Sequence, residues 1–377
     1  MDNDNNDNND NIDIDKDKKS FTPKTIFWMI IKNILFICVF VSVFFGIQKL
    51  LMPKYMSSVY EGALIAEYYD EALPHDVIFI GNCEMYTNIS PVTLWEHYGI
   101  SSYIRGGPNQ LIWQSYYLLE DTLRYEKPSA VVFNVITMQD DKPEREEYNR
   151  LNIDGMRFSP SKISSAKASA VNGESLLSYI FPLFRYHDRW SELHADDFRY
   201  YFSRDKVSIN GYMMRCDVKP VGIIPAGKKL PDYRFSEITY KYLDMITELC
   251  KNNGIELILI KTPVIFPHWY EQWDEQMTDY AKENELIYIN FLDLTDEIGI
   301  DFSTDTYSAG LNLNVYGAEK FSLYLGKILS DHTTDKRSDL EYAAVWDEKI
   351  QMYNWLKEQQ EREFYEHGKI STIKIPG

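Results

Sequence analysis

The sequence predicts an α/β protein whose doubly wound, mostly parallel sheet has the three-layer, flavodoxin-like form, with an insertion or cap and one transmembrane helix in front. Five short apolar runs have the length of strands that are buried on both faces of a sheet. Helix-compatible stretches separate these runs, and this alternation is typical of a sheet that carries helices on both faces. A longer apolar run precedes the first of them.

The N-terminal segment consists of a polar tail and the long apolar run. Residues 1–20 are almost all Asp, Asn and Lys, so we predict a disordered tail over residues 1–25. Residues 26–51 are long and apolar enough to cross a bilayer if Lys32 extends toward the interface, and we expect membrane lipid to surround them. A cleaved signal peptide is the alternative, disfavoured because no small-x-small site follows. A buried core helix is disfavoured because the run is apolar on all sides.

The lysines around this run indicate its orientation. Positively charged residues favour the cytoplasmic side of a membrane, and more of them precede the run than closely follow it. We therefore predict a single-pass cell-membrane protein with a cytoplasmic N-terminus and an extracellular main domain. The preceding lysines are Lys16, Lys18, Lys19 and Lys24, and those close behind are Lys49 and Lys54.

Composition limits the partners of the chain. The 377 residues carry a formal net charge of -18, which argues against a nucleic-acid partner, because neutralising phosphates needs Lys and Arg. The four cysteines show no C-x-x-C spacing, so we expect no metal site, and we expect no cofactor either. A disulfide between Cys216 and Cys250 stays open at this point.

The predicted elements follow one another in order along the chain. A polar, aromatic stretch predicts a juxtamembrane helix within residues 52–72, and the α/β domain covers residues 73–335. The predicted strands are Asp76–Gly81, Ser102–Gly107, Ala130–Ile136, Ile255–Ile260 and Leu286–Phe291, and the predicted helices between and after them are Leu111–Tyr125, Ser236–Asn252, Trp269–Asn284 and Val315–Leu329.

Two segments depart from this alternation. Residues 139–235 are polar, aromatic and Met-rich, and we interpret them as an insertion or cap over one end of the sheet. Residues 336–377 form a C-terminal amphipathic helix and tail. Its apolar residues recur at helical spacing, which favours packing on the domain over facing a partner. These residues are Tyr342, Val345, Trp346, Ile350, Tyr353 and Leu356.

The turn after the first strand carries the most specific motif. In open α/β sheets, ligands bind beyond the carboxyl ends of the strands. Here the first strand leads into Gly81-Asn82-Cys83-Glu84. This resembles the SGNH (GDSL-like) hydrolase family, whose members place a nucleophilic Ser after a strand, a Gly and a small polar residue. It is similar to the branch that contains the D-alanyl-lipoteichoic acid biosynthesis protein and polysaccharide acyl-modifying proteins.

The resemblance extends to later blocks of the chain. It implies that Gly107 and Asn134 supply oxyanion donors. The stretch Asp305–Gly317 resembles the last family block, in which Asn312 stands at the position expected for the catalytic His. Each residue also has a plain structural interpretation. The glycines permit positive φ, and Asn312 hydrogen-bonds its own loop.

The catalytic positions differ from the family pattern. Cys83 replaces the Ser, and Ser308 and Ala309 stand where an Asp is expected. Asn cannot accept a proton at neutral pH, although a cysteine thiol is acidic enough to act with a weaker base. Glu84 opposes ionisation of Cys83. His187 and His268 are candidates for a substitute base. The structural alternatives are that His187 packs in an aromatic cluster and that His268 packs in a loop. For Cys83, the structural alternative is a small buried residue at a tight turn.

Two hypotheses from different classes follow. The first is an extracytoplasmic esterase or acyltransferase that acts on polysaccharide or teichoic-acid esters of the cell envelope through Cys83. The second is a catalytically degenerate binding or accessory protein for a membrane-bound O-acyltransferase, a partner that the resemblance implies. A His within hydrogen-bond reach of the Cys83 sulfur would favour the first hypothesis.

Overall fold

The computed structural model describes residues 22–171, 173–224 and 226–375. These described residues form two compact units, which divide between Lys49 and Leu50. The predicted tail lies outside the described residues except for its last four. The second unit includes the predicted α/β domain together with residues 52–72 and the C-terminal helix. The finer boundaries at residues 73 and 335 stay predictions.

The predicted N-terminal apolar helix is confirmed. Helix α1 spans Pro23–Leu51, and its start is capped by Thr22, whose hydroxyl oxygen accepts a hydrogen bond from the Thr25 N–H at 3.3 Å. Its 29 residues correspond to a length of about 44 Å. By length and composition, α1 can cross a membrane, and a signal sequence would have the same properties.

The five predicted strands form one parallel sheet, which confirms the predicted fold class. The order is β2-β1-β3-β4-β5. In the register, Val77 faces Ser102 and Ala130 on the two neighbours of β1, and Asn134 faces Ile260. The strands are β1 Val77–Gly81, β2 Ser102–Gly106, β3 Ala130–Asn134, β4 Glu256–Lys261 and β5 Ile287–Asn290.

Alternating residues of each strand point to opposite faces and build two separate cores. Val77 and Phe79 belong to one core, whereas Ile78 and Ile80 belong to the other. Helices α4, α14 and α15 cover the first face, and α5, α11 and α12 cover the second. The helices of the second unit are α2 Leu64–Glu67, α3 Cys83–Asn88, α4 Pro91–Tyr98, α5 Ile112–Thr122, α6 Glu146–Ile153, α7 Pro160–Ser169, α8 Leu176–Ile180, α9 Leu183–Tyr186, α10 Ala195–Phe202, α11 Glu237–Asn253, α12 Glu271–Glu283, α13 Thr295–Ile298, α14 Val315–Leu329 and α15 Leu340–His367, with 3-10 segments at Tyr60–Ala63, Tyr68–Asp70, Val135–Gln139, His187–Glu192 and Phe291–Leu294.

Residues 52–72 and the predicted insertion both pack on this domain. Helical backbone covers residues 60–70 in three consecutive short segments, and Leu64 belongs to the first core while Tyr68 belongs to the second. The insertion contributes α6 to α10 between β3 and β4. The Trp113 indole N–H donates to the Ser169 hydroxyl of α7 at 3.0 Å, which attaches the insertion to α5.

The disulfide that the sequence left open is absent. All four cysteines, which lie within the described residues, are free thiols. Cys216 belongs to the first core and Cys250 to the second. The sheet therefore separates the two sulfurs, and no backbone adjustment of the size that a disulfide tolerates could join them.

The C-terminal helix packs on its own domain. The Trp346 ring stacks on Trp95 of α4 with centroids 5.1 Å apart and planes within 6°. Tyr353 and Leu356 are buried on the same side of α15. The amphipathic pattern of this segment therefore reflects intramolecular packing.

Replacing Trp346 by Ala should lower the free energy of unfolding of the full-length protein in detergent by about 3–5 kcal/mol, because a large buried ring leaves a cavity behind. Denaturant unfolding followed by circular dichroism measures the change. Tyr365→Ala on the same helix is the matched control. Its ring is 92% exposed, so we expect a change within about 0.5 kcal/mol. Equal losses from the two variants would contradict this packing.

Candidate functional site

The carboxyl ends of β1, β3 and β4 lie along one edge of the parallel sheet, and ligands bind at this edge in open α/β sheets. β2 lies on one side of β1 and β3 on the other, so the chain reverses its winding direction at β1, and ligands bind at such switch points. Gly81 ends β1 with φ 156°. A Cβ atom there would lie 2.8 Å from Met85 Cγ and 3.0 Å from Asn134 Cβ. The turn therefore requires glycine.

Cys83 is the first residue of α3 and follows a capped turn. The Asn82 side-chain oxygen accepts a hydrogen bond from the Glu84 N–H at 3.1 Å, which fixes the start of the helix. Burial raises the pKa of the Cys83 thiol to about 12, and the negative charge of Glu84 adds to this rise. At neutral pH the sulfur is therefore a protonated thiol and a poor nucleophile.

Glu84 lies at the centre of a buried polar cluster. Its Oε2 accepts hydrogen bonds from Asn134 Nδ2 at 3.1 Å and from Lys261 Nζ at 3.2 Å, and the Thr262 hydroxyl donates to the same oxygen. Lys261 is also fully buried and donates to the Thr262 carbonyl at 3.0 Å. Burial lowers the pKa of Lys261, and the charge of Glu84 counteracts this effect. The cluster joins the ends of three strands.

Asn134, a predicted oxyanion donor, is part of this cluster. Its amide nitrogen donates to Glu84, and its side-chain oxygen accepts from the Ile136 N–H at 3.2 Å. Both ends of the side chain therefore have partners inside the protein. The distances support a structural function for Asn134 at the end of β3.

Gly107, the other predicted donor, lies against the insertion. A side chain at this position would overlap with Asn152 Oδ1 of α6. That oxygen is buried and has no hydrogen-bond partner, whereas Asn152 Nδ2 donates to the Pro108 carbonyl at 2.8 Å. The Asn152 side chain therefore occupies the space that a side chain at position 107 would need, which accounts for the glycine.

Asn312 lies close to the turn, as the resemblance implies for the last block. The Thr87 hydroxyl is 2.7 Å from the Cys83 carbonyl oxygen and 3.0 Å from Asn312 Oδ1. Asn312 also donates from its backbone N–H to the Ser308 hydroxyl at 2.8 Å. The structure therefore brings the first and last blocks together, and the Asn312 side chain fixes the loop.

The two histidines proposed as substitute bases lie elsewhere. His187 is exposed, and its Nε2 is 2.7 Å from Asp188 Oδ1. His268 is also exposed, and its ring packs against Tyr270 with centroids 4.6 Å apart. No hydrogen bond or ion pair within the described part of the chain joins either ring to Cys83.

Lys261, Thr262 and Asn152 were not found by reasoning from the sequence. Lys261 follows the apolar run of β4 directly, and a lone charge at the carboxyl end of a buried strand is a usable signal. Asn152 comes from the insertion, where no pattern indicates which residue faces the sheet. Its contact with Gly107 required the tertiary structure.

Comparison with known proteins gives a likeness to solved structures only. No family model matches the chain, and no curated protein matches it. The chain is similar in structure to G-D-S-L-family lipolytic and acylhydrolase proteins. A protein described as lipolytic and of the G-D-S-L family, from Desulfitobacterium hafniense, is 14% identical with a TM-score of 0.33, and the match covers 68% of this chain and 98% of that one. One described as an acylhydrolase, from Bacteroides fragilis, is 13% identical with a TM-score of 0.35, covering 71% and 94%.

The Glu84–Lys261 pair should show strong coupling. Glu84→Gln and Lys261→Met should each lower the free energy of unfolding by about 3–5 kcal/mol, because each leaves a buried charge without its partner. The double variant should lose clearly less than the sum. Arg362→Met, which breaks the exposed Arg362–Glu358 pair, is the control and should change stability by less than about 0.5 kcal/mol. Additive losses in a denaturant-unfolding cycle would exclude a direct interaction.

Cys83 should react slowly with iodoacetamide at pH 7. A rise in pKa from about 8.5 to about 12 lowers the thiolate fraction roughly three thousandfold. The higher intrinsic nucleophilicity of a more basic thiolate offsets part of this loss, leaving a rate roughly a hundredfold below that of free cysteine. Because the pKa is raised, the rate should still climb about tenfold per pH unit up to pH 10, where free cysteine has levelled off.

Peptide mass spectrometry of the Cys83 peptide measures these rates, with glutathione and the denatured protein as references. Labelling of folded Cys83 as fast as glutathione at pH 7 would mean that the pKa of its thiol is not raised.

Proposed function

We propose that this protein is a membrane-anchored extracytoplasmic SGNH-like protein that binds cell-envelope polysaccharide or teichoic acid and assists a membrane-bound O-acyltransferase, without ester chemistry of its own. One observation carries the proposal. The sulfur at the nucleophile position is a thiol with its pKa raised to about 12, and no described hydrogen bond connects it to a base.

The neighbours of Cys83 support the loss of catalysis. Hydrolysis through a covalent intermediate needs a base to activate the nucleophile and later a water. Glu84 is the nearest acidic group along the chain, but Lys261, Thr262 and Asn134 already bind its Oε2. Its other oxygen, Oε1, is buried without a hydrogen-bond partner among the described residues, and no described hydrogen bond joins the carboxylate to the Cys83 sulfur.

One of the two oxyanion donors that the resemblance implies, Asn134, is bound to another partner. Asn134 donates to Glu84, and the Asn152 oxygen lies beside Gly107. The Asn134 amide is therefore not free to donate to a developing oxyanion, and the loss of one such donor removes about 3–4 kcal/mol of transition-state stabilisation.

Helix α1 and the lysines in front of it support the membrane anchor of the proposal. The helix is long enough to span a bilayer, and the excess of lysines on its N-terminal side favours a cytoplasmic N-terminus. The domain then faces the cell envelope. The ligand class and the O-acyltransferase partner rest on the resemblance of the motif around Cys83 to the branch of polysaccharide acyl-modifying proteins.

Deleting the gene from the source organism should lower the O-acyl content of its envelope polysaccharide or teichoic acid. Complementation with the native chain and with Cys83→Ala should restore that content equally, because the sulfur has no chemical function in this proposal. The measurement is ester release from the purified polymer by mild base, compared between strains.

The purified full-length protein in detergent should also fail to hydrolyse p-nitrophenyl acetate above the rate of Cys83→Ala. Turnover that disappears in Cys83→Ala, together with failure of that variant to complement, would establish the esterase instead. An unchanged ester content after deletion would reject the accessory function.

A further inference from the structure

Several large aromatic side chains are exposed on the insertion, and three of them lie between residues 190 and 202. Trp190 is 72% exposed, Phe198 53% and Phe202 88%. Exposed rings of this size are unusual on a monomer when they cluster, and such clusters mark interaction sites. We refer to Trp190, Phe198 and Phe202 as the aromatic patch.

Helix α10 presents two of these rings on its outer side. Phe198 and Phe202 are four residues apart, so they share one face of the helix. Asp197 and Tyr200, on the other side, are buried, and Tyr200 belongs to the first core. The helix therefore already packs on its own domain through one side, and its aromatic side needs a different partner.

Arg189 connects the patch to Leu51 within the second unit. Its guanidinium donates to the Leu51 carbonyl oxygen at 2.6 Å and to Asp197 Oδ1 at 3.1 Å. Leu51 is the last residue of α1. Trp190 follows Arg189 directly in the sequence, and Phe198 follows Asp197, so the Arg189–Asp197 hydrogen bond holds these two parts of the patch near each other. The patch thus lies near Leu51, the second residue of this unit.

We propose that the aromatic patch inserts into the interface between the lipid headgroups and the acyl chains. The proposal rests on the membrane anchor of the proposed function. A chain that leaves the bilayer at Leu51 has its exit point near the patch. Trp is enriched at the headgroup level, and Trp and Phe form the apolar face of segments that lie in the membrane interface. The domain is then attached to the bilayer surface at a second point.

The charges around the patch indicate an apolar rather than an electrostatic contact. Exposed groups of both signs lie nearby, so neither anionic nor cationic lipid is favoured. Insertion should therefore occur in zwitterionic lipid and should be insensitive to salt. The basic residues are Arg185 and Arg199, and the acidic ones are Asp188, Glu192 and Asp196.

Fluorescent labels at the patch test the proposal. A polarity-sensitive dye is attached at Trp190→Cys or Phe202→Cys in a Cys38→Ser background, and the full-length protein is placed in phosphatidylcholine nanodiscs. Nitroxide-labelled lipid should quench roughly half or more of the dye emission, because the label lies within the interface. Replacing the remaining two patch residues by Ser should reduce the quenching of a label at position 202.

Two reference labels separate the outcomes. Glu248→Cys, on the exposed side of α11 over the opposite face of the sheet, should show little quenching. A label on native Cys38, within α1, should be strongly quenched if the anchor holds. Quenching at Cys38 without quenching at 190 and 202 would overturn the patch proposal and leave the anchor intact. Absence of quenching at Cys38 would reject the anchor itself.

Two further results would also overturn the proposal. Disulfide-linked dimers formed by the 190 or 202 variants under oxidation, without lipid quenching, would mean that a second copy covers the patch. Quenching that appears only with anionic lipid at low salt would mean that charge, rather than aromatic insertion, holds the domain to the surface.

Discussion

The carboxylate of Glu84 meets the ammonium of Lys261 at 3.2 Å, in a place where both side chains are buried. The same oxygen accepts hydrogen bonds from the ends of β3 and β4 through Asn134 and Thr262. Removing either charge would leave the other in a low-dielectric environment, which costs about 3–5 kcal/mol. The arrangement of the strand ends at the switch point of the sheet therefore depends on this contact.

This contact also determines what the neighbouring sulfur can do. A negative charge beside Cys83, combined with burial, raises the pKa of the thiol to about 12. The N-terminus of a helix favours a thiolate. Helix α3, however, is only six residues long, and its effect does not outweigh the rise in pKa that burial and the Glu84 charge cause. The position that the motif assigns to a nucleophile is thus occupied by a weakly acidic group whose environment favours structure over chemistry.

The sheet and most of its helices were predictable because their signals are local. Val315–Leu329 was predicted with the observed bounds, and each predicted strand differs from the observed one by at most two residues at either end. Apolar runs of strand length and capping residues such as Ser236 and Asn314 act over a few residues. The open question of a Cys216–Cys250 disulfide could not be answered in this way, because the face on which each sulfur lies depends on packing.

The sequence by itself determined the fold class, the apolar helix, and the turn at Gly81–Glu84 as the place to look for function, since these follow from hydrophobic periodicity and from a short motif. Only the tertiary structure decided what surrounds Cys83. Glu84 and Lys261 are 177 residues apart, and Thr87 and Asn312 are separated by 225. Partners at such separations are selected by how strands and loops pack, and no local pattern records that choice.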